Sequence, residues 1–137
     1  MSNPKHSAKE TVLTGSVGLK GANQRKDVKL VQFLLNDWLG RRKEVLLKVD
    51  GLVGPLTIGA IEEFQRQNGL ESDGRVDRDG PSLAQLVALH LAGVESGLVP
   101  SEFLTLTTKV PSAGAPLSRE AWAEAMSGYL VMLRKSL

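Results

Sequence analysis

Twice in this chain an Asp-Gly turn is followed by a Gly-Pro pair and then by a run with apolar residues at helical spacing. Asp50-Gly51 precedes Gly54-Pro55, and Asp73-Gly74 precedes Gly80-Pro81, with Gly54 and Gly80 standing 26 residues apart. Asp-Gly is a turn signal. Proline suits the first position of a helix, where its missing N–H would have had no partner. A chain punctuated in this way breaks into short helices joined by tight turns. The two units form an internal echo that falls short of a repeat.

Around these marks the apolar spacing predicts four helices. Val28, Val31, Leu34, Leu35 and Trp38 recur at helical intervals, which predicts a first helix over about Asp27–Leu39. Asp27 stands at its N-cap or first turn, and Gly40 is the expected stop. The second helix is predicted from Pro55 to about Asn68, with Ala60, Ile61 and Phe64 inward and Gly69 as the left-handed residue after its end. The third runs from Pro81 to about Leu91, with Leu83, Leu86, Val87 and His90 inward, and Gly93 ends it. Ser118 is an N-cap for a fourth, Arg119 to about Lys135, striped by Ala121, Trp122, Ala125, Met126, Tyr129, Leu130 and Leu133. Thr11–Val17 reads as a short strand or extended lead-in, and Met1–Glu10 as a loose tail. Gly93–Pro116 reads as a linker with one extended piece over Phe103–Val110. The expected organisation is a tail and lead-in over residues 1–19, a helical domain over 20–93, a linker over 94–117 and a C-terminal amphipathic helix over 118–137. The fold class is all-α.

Composition narrows the function. Seventeen Lys and Arg against 15 Asp and Glu leave a net charge of +2, without the basic excess of a nucleic-acid binder. With no cysteine, a disulfide scaffold, a thiol nucleophile and Cys-ligated metal sites are excluded. Two histidines, His6 and His90, argue against a His-rich metal site or a Ser-His-Asp triad, and 4% aromatics argue against base-stacking surfaces. No stretch approaches the roughly 18 apolar residues of a membrane span. The polar N-terminus lacks the apolar core of a secretory signal. The expectation is therefore a protein cytoplasmic as synthesised, reaching the periplasm, if it does, by a route that needs no cleaved signal.

Residues Gly21 to Leu86 carry a longer pattern: GANQRKDVKLVQFLLN, then VDGLVGPLTIGAIEEFQRQNGL, then DGRVDRDGPSLAQL. This resembles the small three-helix peptidoglycan-binding domain found at the ends of cell-wall amidases, muramidases and carboxypeptidases. The matching residues are Asp27, Val28, Val31, Gln32, Leu35 and Asn36, then Asp50, Gly51, Gly54, Thr57, Ala60, Ile61, Phe64 and Gln65. The resemblance covers about half the chain. The basic insert after Gly40 and both terminal extensions depart from it. It implies a peptidoglycan-binding-like bundle, with the extended N-terminal segment and the C-terminal helix added. It also implies non-catalytic binding of glycan or stem peptide, with no cofactor.

The candidate peptidoglycan-binding residues are Asn23, Arg25, Gln32, Asp50, Gly51, Gly54, Thr57, Gln65 and Arg66. Each has a plainer reading beside it. Asp50, Gly51, Gly54 and Thr57 are explained by turn chemistry alone, or else line a shallow groove. Gln32 and Gln65 bridge loops, or else contact ligand. Arg41, Arg42 and Lys43 form a solvated basic loop, or else attract wall carboxylates. Asp73, Asp77 and Asp79 do not fit a calcium loop, because aligning Gly80 with the loop glycine puts Arg75 and Leu86 at ligand positions. Adjacent Glu62 and Glu63 diverge on a helix and make no acid/base pair. His90 reads as a core residue. Trp122, Met126 and Tyr129 pack against the bundle or else form a partner surface.

Together these readings predict a wall-binding module that is not an enzyme and holds no metal. It would target or escort a partner hydrolase or secreted effector, delivered by a contractile injection apparatus of the type VI kind or by phage lysis. The alternative is an adaptor or chaperone-type interaction module that reuses the fold without binding the wall.

Overall fold

The computed structural model describes the backbone of residues 11–95 and 119–137, and the side chains of these except 93–95 and 119–127. In chain order the elements are β1 (Val17–Gly18), α1 (Arg25–Arg41), α2 (Pro55–Gln67), β2 (Arg75–Val76), α3 (Pro81–Glu95) and α4 (Arg119–Ser136). The protein is mostly helical, as the spacing predicts. The strands form one antiparallel pair, with Val17 opposite Val76 and Gly18 opposite Arg75.

The long first helix is the centre of the core. α1 contacts α2, α3, α4 and β1. Val28, Leu30, Val31, Leu34, Leu35, Trp38 and Leu39 are all buried on it. At 100° per residue these positions span about half its circumference. Such an arc is wider than the stripe of a surface helix, because α1 has neighbours on more than one side. Ile61 and Phe64 of α2, Leu83 and Leu86 of α3, and Tyr129, Leu130 and Leu133 of α4 complete one cluster with it. Trp38 and Phe64 meet edge to face, with ring centroids 5.1 Å apart.

Several boundaries move from their expected places. Gly40 lies inside α1, which runs on to Arg41. A glycine costs a helix only about 1 kcal/mol, less than the burial of the adjacent Trp38 and Leu39 returns. The left-handed residue past the helix end is Lys43, at φ 59°, and its N–H reaches the Gly40 carbonyl. Gly93 likewise falls within α3, so residues 94 and 95, expected in the linker, are helical. Gly69 is left-handed after α2, as expected, at φ 72°. Of the short strand or extended lead-in expected over Thr11–Val17, only Val17 is strand, paired together with Gly18. The extended piece expected at Phe103–Val110, the tail before Thr11 and residues 96–118 of the linker lie outside the described residues. Among the described residues no helix is long and apolar enough to cross a membrane.

Asp27 is fully buried in the first turn of α1. Its carboxylate accepts from the Thr14 N–H at 3.0 Å, the Thr14 hydroxyl at 2.5 Å and the Gly15 N–H at 3.0 Å. These donors are backbone and side chain of the lead-in, so the carboxylate pins that segment to the helix start, where negative charge is favoured. Arg134 of α4 grips the same segment, donating to the Thr11 and Val12 carbonyls, each at 2.9 Å. Lys26 and Lys29 of α1 donate to the carbonyls of Lys135 and Leu137, each at 3.0 Å, which satisfies acceptors that a helix end leaves open. The C-terminal helix is thereby built into the core.

If α4 is part of one cooperative unit, Leu133→Ala lowers stability by about 2–4 kcal/mol in a single unfolding transition. Chemical denaturation followed by both fluorescence and circular dichroism checks this. Two separated transitions would show an independently held helix.

Candidate functional site

Gln32 sits halfway along α1 with 1% of its surface exposed. A buried primary amide must find partners for its oxygen and its two N–H groups. Its Oε1 accepts from the backbone N–H groups of Asp50 and Gly51, at 3.1 and 3.0 Å. Its Nε2 donates to Asp50 Oδ1 at 3.2 Å, the Leu52 carbonyl at 3.1 Å and the Thr57 hydroxyl at 3.1 Å. One side chain thus holds the Asp-Gly turn and the first turn of α2 together. Asp50 Oδ1 also accepts from the Leu52 N–H at 3.0 Å, as turn chemistry predicts. One helical turn further on, Asn36 grips the same loop by exchanging two hydrogen bonds with the Leu47 backbone, at 2.7 and 2.8 Å.

Gln65 of α2 repeats this arrangement on the second Asp-Gly turn. Its Oε1 accepts from the Gly74 N–H at 2.9 Å. Its Nε2 donates to Asp73 Oδ1 at 2.8 Å, the Arg75 carbonyl at 2.9 Å and the Ser82 hydroxyl at 3.0 Å. Asp73 and Ser82 therefore stand where Asp50 and Thr57 stand in the first. Gly51 and Gly74 have φ of 78° and 73°, in the left-handed region. A Cβ on Gly51 would lie 2.6 Å from Arg25 Cγ.

The two carboxylates respond to these bonds. The Leu52 N–H and the Gln32 amide hold Asp50 below the usual 3.8, with the charge of Lys48 adding to the effect. Burial pushes Asp73 up, but the Gln65 amide and the Arg75 N–H outweigh it, so it too lies below 3.8.

The outer side of the Gln32 network opens into a groove of about 250 Å³. Gln32 and Thr57 form its buried floor, with Gly54 and Asp50 beside them. Its walls include Leu46, Lys48, Leu52, Val53 and Leu56. Leu46, Leu52 and Leu56 are 55%, 63% and 82% exposed, so much of their apolar surface is left uncovered by the described residues.

Of the sequence candidates, Gln32, Asp50, Gly54 and Thr57 come together at this groove. Gly51 lies buried beneath Arg25, behind the turn. Gln65 belongs to the second network. Asn23, at φ 55°, braces the lead-in, where its side chain exchanges hydrogen bonds with the Gly18 backbone at 2.7 and 3.1 Å. Arg66 is exposed on α2 and pairs with Glu63. Arg41 bonds Asp37 and the Leu89 carbonyl, while Arg42 lies over Trp38 and pairs with Glu44. Leu46, Lys48, Leu52 and Leu56 were not among the candidates. The signal for them was three leucines in the turn-rich stretch before α2 and in its first turn, among Gly, Asp and Pro, where a core has little use for them.

Tyr129 is 1% exposed, which removes it from the candidate partner surface and leaves the packing reading. The side chains of Trp122 and Met126 lie outside the described residues. His90 bridges Asp37 and the Tyr129 hydroxyl, at 3.0 and 2.9 Å. The order carboxylate–imidazole–hydroxyl is that of a nucleophilic triad, yet His90 and Tyr129 are each 1% exposed, so a substrate has no path to the hydroxyl. Burial and the Asp37 charge push Tyr129 up to about 12, which keeps it protonated. The chain of bonds joins α1, α3 and α4 as a buried polar strut.

Gln32→Leu removes the partners of two backbone N–H groups and of Thr57, and is expected to cost about 2–4 kcal/mol in chemical denaturation. The pH dependence follows from the two depressed carboxyls. Their contribution to stability is full above 3.8 and is lost as pH falls through their lower folded-state values. The unfolding midpoint should stay level from neutrality to about pH 5, then fall. An Asp50→Asn, Asp73→Asn double variant should fall less steeply.

Comparison with known proteins places this arrangement. Residues 24–79 match the family model described as "Putative peptidoglycan binding domain", a helical bundle domain. The matched stretch holds α1, α2, β2, the groove and all of both glutamine networks except Ser82. No curated protein and no solved structure matches the chain. Over residues 24–79 the chain is therefore similar to this family, whose domain is itself a binding domain and not a catalytic one.

Proposed function

We propose that this protein binds bacterial cell-wall peptidoglycan without cutting it, through the groove over the Gln32–Asp50–Thr57 network. The observation that carries this reading is the position of the groove inside the matched segment, with unpaired apolar surface at Leu46, Leu52 and Leu56 beside polar groups. Binding sites combine apolar walls with a few placed polar groups in this way. Gln32 and Thr57 act as the fixed floor, Asp50 as the polar edge, and Gly54 leaves the mouth of α2 clear. The wider role is to bring a partner hydrolase or effector to the wall, where tethering raises a modest affinity.

A second reading replaces the wall with a protein partner in the same groove. Val45, 91% exposed beside Leu46, favours it, because it extends the apolar surface beyond the groove.

Co-sedimentation with insoluble Gram-negative sacculi tests the first reading. The purified protein is expected to pellet at moderate salt and to release no soluble muropeptides. Leu56→Asp should weaken pelleting about tenfold while leaving the unfolding midpoint unchanged, since Leu56 is 82% exposed. Protein that stays in the supernatant would transfer the groove to the second reading. Release of muropeptides would make the chain a hydrolase.

A further inference from the structure

Peptidoglycan offers two chemically different faces, a sugar chain and a short peptide. We propose that the groove takes the stem peptide, with a free peptide carboxylate on Lys48 and a free amino group on Asp50, and leaves the sugar chain outside. This rests on the binding function proposed above.

Three observations carry it. The first is the missing aromatic platform. Proteins commonly hold the flat apolar face of a sugar against an aromatic ring, and among the described residues no ring lines this groove. The described rings are committed elsewhere: Trp38 packs on Phe64, while Phe33 and Tyr129 pack on His90. The walls are aliphatic instead, and Leu46, Leu52, Val53 and Leu56 suit methyl and methylene groups of small side chains.

The second is charge. Lys48 and Asp50 both line the groove. Lys48 is exposed and makes no hydrogen bond or ion pair among the described residues. Asp50 commits Oδ1 to Gln32 and Leu52, and its Oδ2 has no hydrogen-bond partner among the described residues. One ammonium and one carboxylate in a single cleft complement a ligand that itself bears both charges. A stem peptide with an unlinked diamino residue and a free C-terminus is such a ligand, whereas a peptide-free glycan carries no ammonium. The third is size. About 250 Å³ is below the roughly 300–1,000 Å³ that houses drug-sized ligands, and fits a short run of small residues.

Calorimetry and amide-resolved NMR titration of the full chain separate the two faces. Three probes are used: sugar-free stem tetrapeptide containing a diamino acid, glycan strands stripped of peptide by an amidase, and the intact disaccharide-tetrapeptide. The tetrapeptide should bind within about threefold of the intact fragment and shift the amide signals of residues 48–56. Stripped glycan should do neither. Lys48→Ala should weaken tetrapeptide binding about fivefold, Lys48→Arg should restore most of it, and Arg78→Ala, an exposed charge outside the groove, should leave it unchanged. Glycan binding without peptide binding, or no effect of Lys48→Ala, overturns the assignment while pelleting with sacculi still supports wall binding. Absence of pelleting overturns both.

Discussion

The amide of Gln32 is the constraint on which the site depends. The segment between α1 and α2 has no regular secondary structure of its own, and its backbone groups need partners if they are to leave water. A helix side chain supplies them. An amide can both accept from two backbone N–H groups and donate to a carbonyl, a carboxylate and a hydroxyl. A carboxylate would lack the donors, and a leucine would lack everything. One fixed side chain therefore replaces a strand ladder, and Asn36, on the same face of α1, adds two further bonds to the Leu47 backbone. The loop is ordered from beneath, which leaves its outer surface free.

That arrangement requires α1 to stay still, and the rest of the fold supplies the restraint. α1 is packed by three helices, and its start is fixed by Asp27, Lys26 and Lys29 to the lead-in and the C-terminus. The helix that looks appended in the sequence is part of this restraint. Arg134 and Tyr129 join α4 to the lead-in and to His90, so the lead-in and the C-terminal helix meet over the start of the helix that carries Gln32. The groove sits far along the chain from these contacts, yet its floor depends on them.

Much of this was legible in the sequence, and the failures have physical causes. The Gly-Pro starts, the helical spacing and Gly69 gave the helices and their order, because each is a local steric rule. Gly40 and Gly93 misled, because a local penalty of about 1 kcal/mol yields to packing that spacing alone cannot weigh. The glutamines were visible as motif positions, but their five- and four-bond networks were not, since a side chain's partners depend on which loop folds over it. Tyr129 could be read as packing or as partner surface until the neighbours of α4 were known. Leu46, Leu52 and Leu56 mislead for the opposite reason: hydrophobicity predicts an interior place, and these three stand outside. An apolar residue that local rules place in a polar, turn-rich loop is the sign that a site leaves in a sequence.

The two glutamine networks differ in what lies over them. Both clamp an Asp-Gly turn and a hydroxyl at the next helix start. The Gln65 turn is roofed: Leu19 donates its N–H to the Gly74 carbonyl at 2.9 Å, β1 pairs with β2, and a Cβ on Gly74 would meet Leu19 at 2.9 Å. The Gln32 turn is backed by Arg25 but, among the described residues, has no strand across its outer side, and there the leucines stand exposed. The same clamp is thus roofed in one place and open in the other, and what separates them is whether the lead-in covers the turn. It follows that the floor and the walls of the groove answer to different demands. Gln32 and Thr57 cannot change without loosening the fold, whereas Lys48, Leu52 and Leu56 project from it and can change with little cost in stability. The exposed wall residues can therefore vary while the motif beneath them keeps the frame.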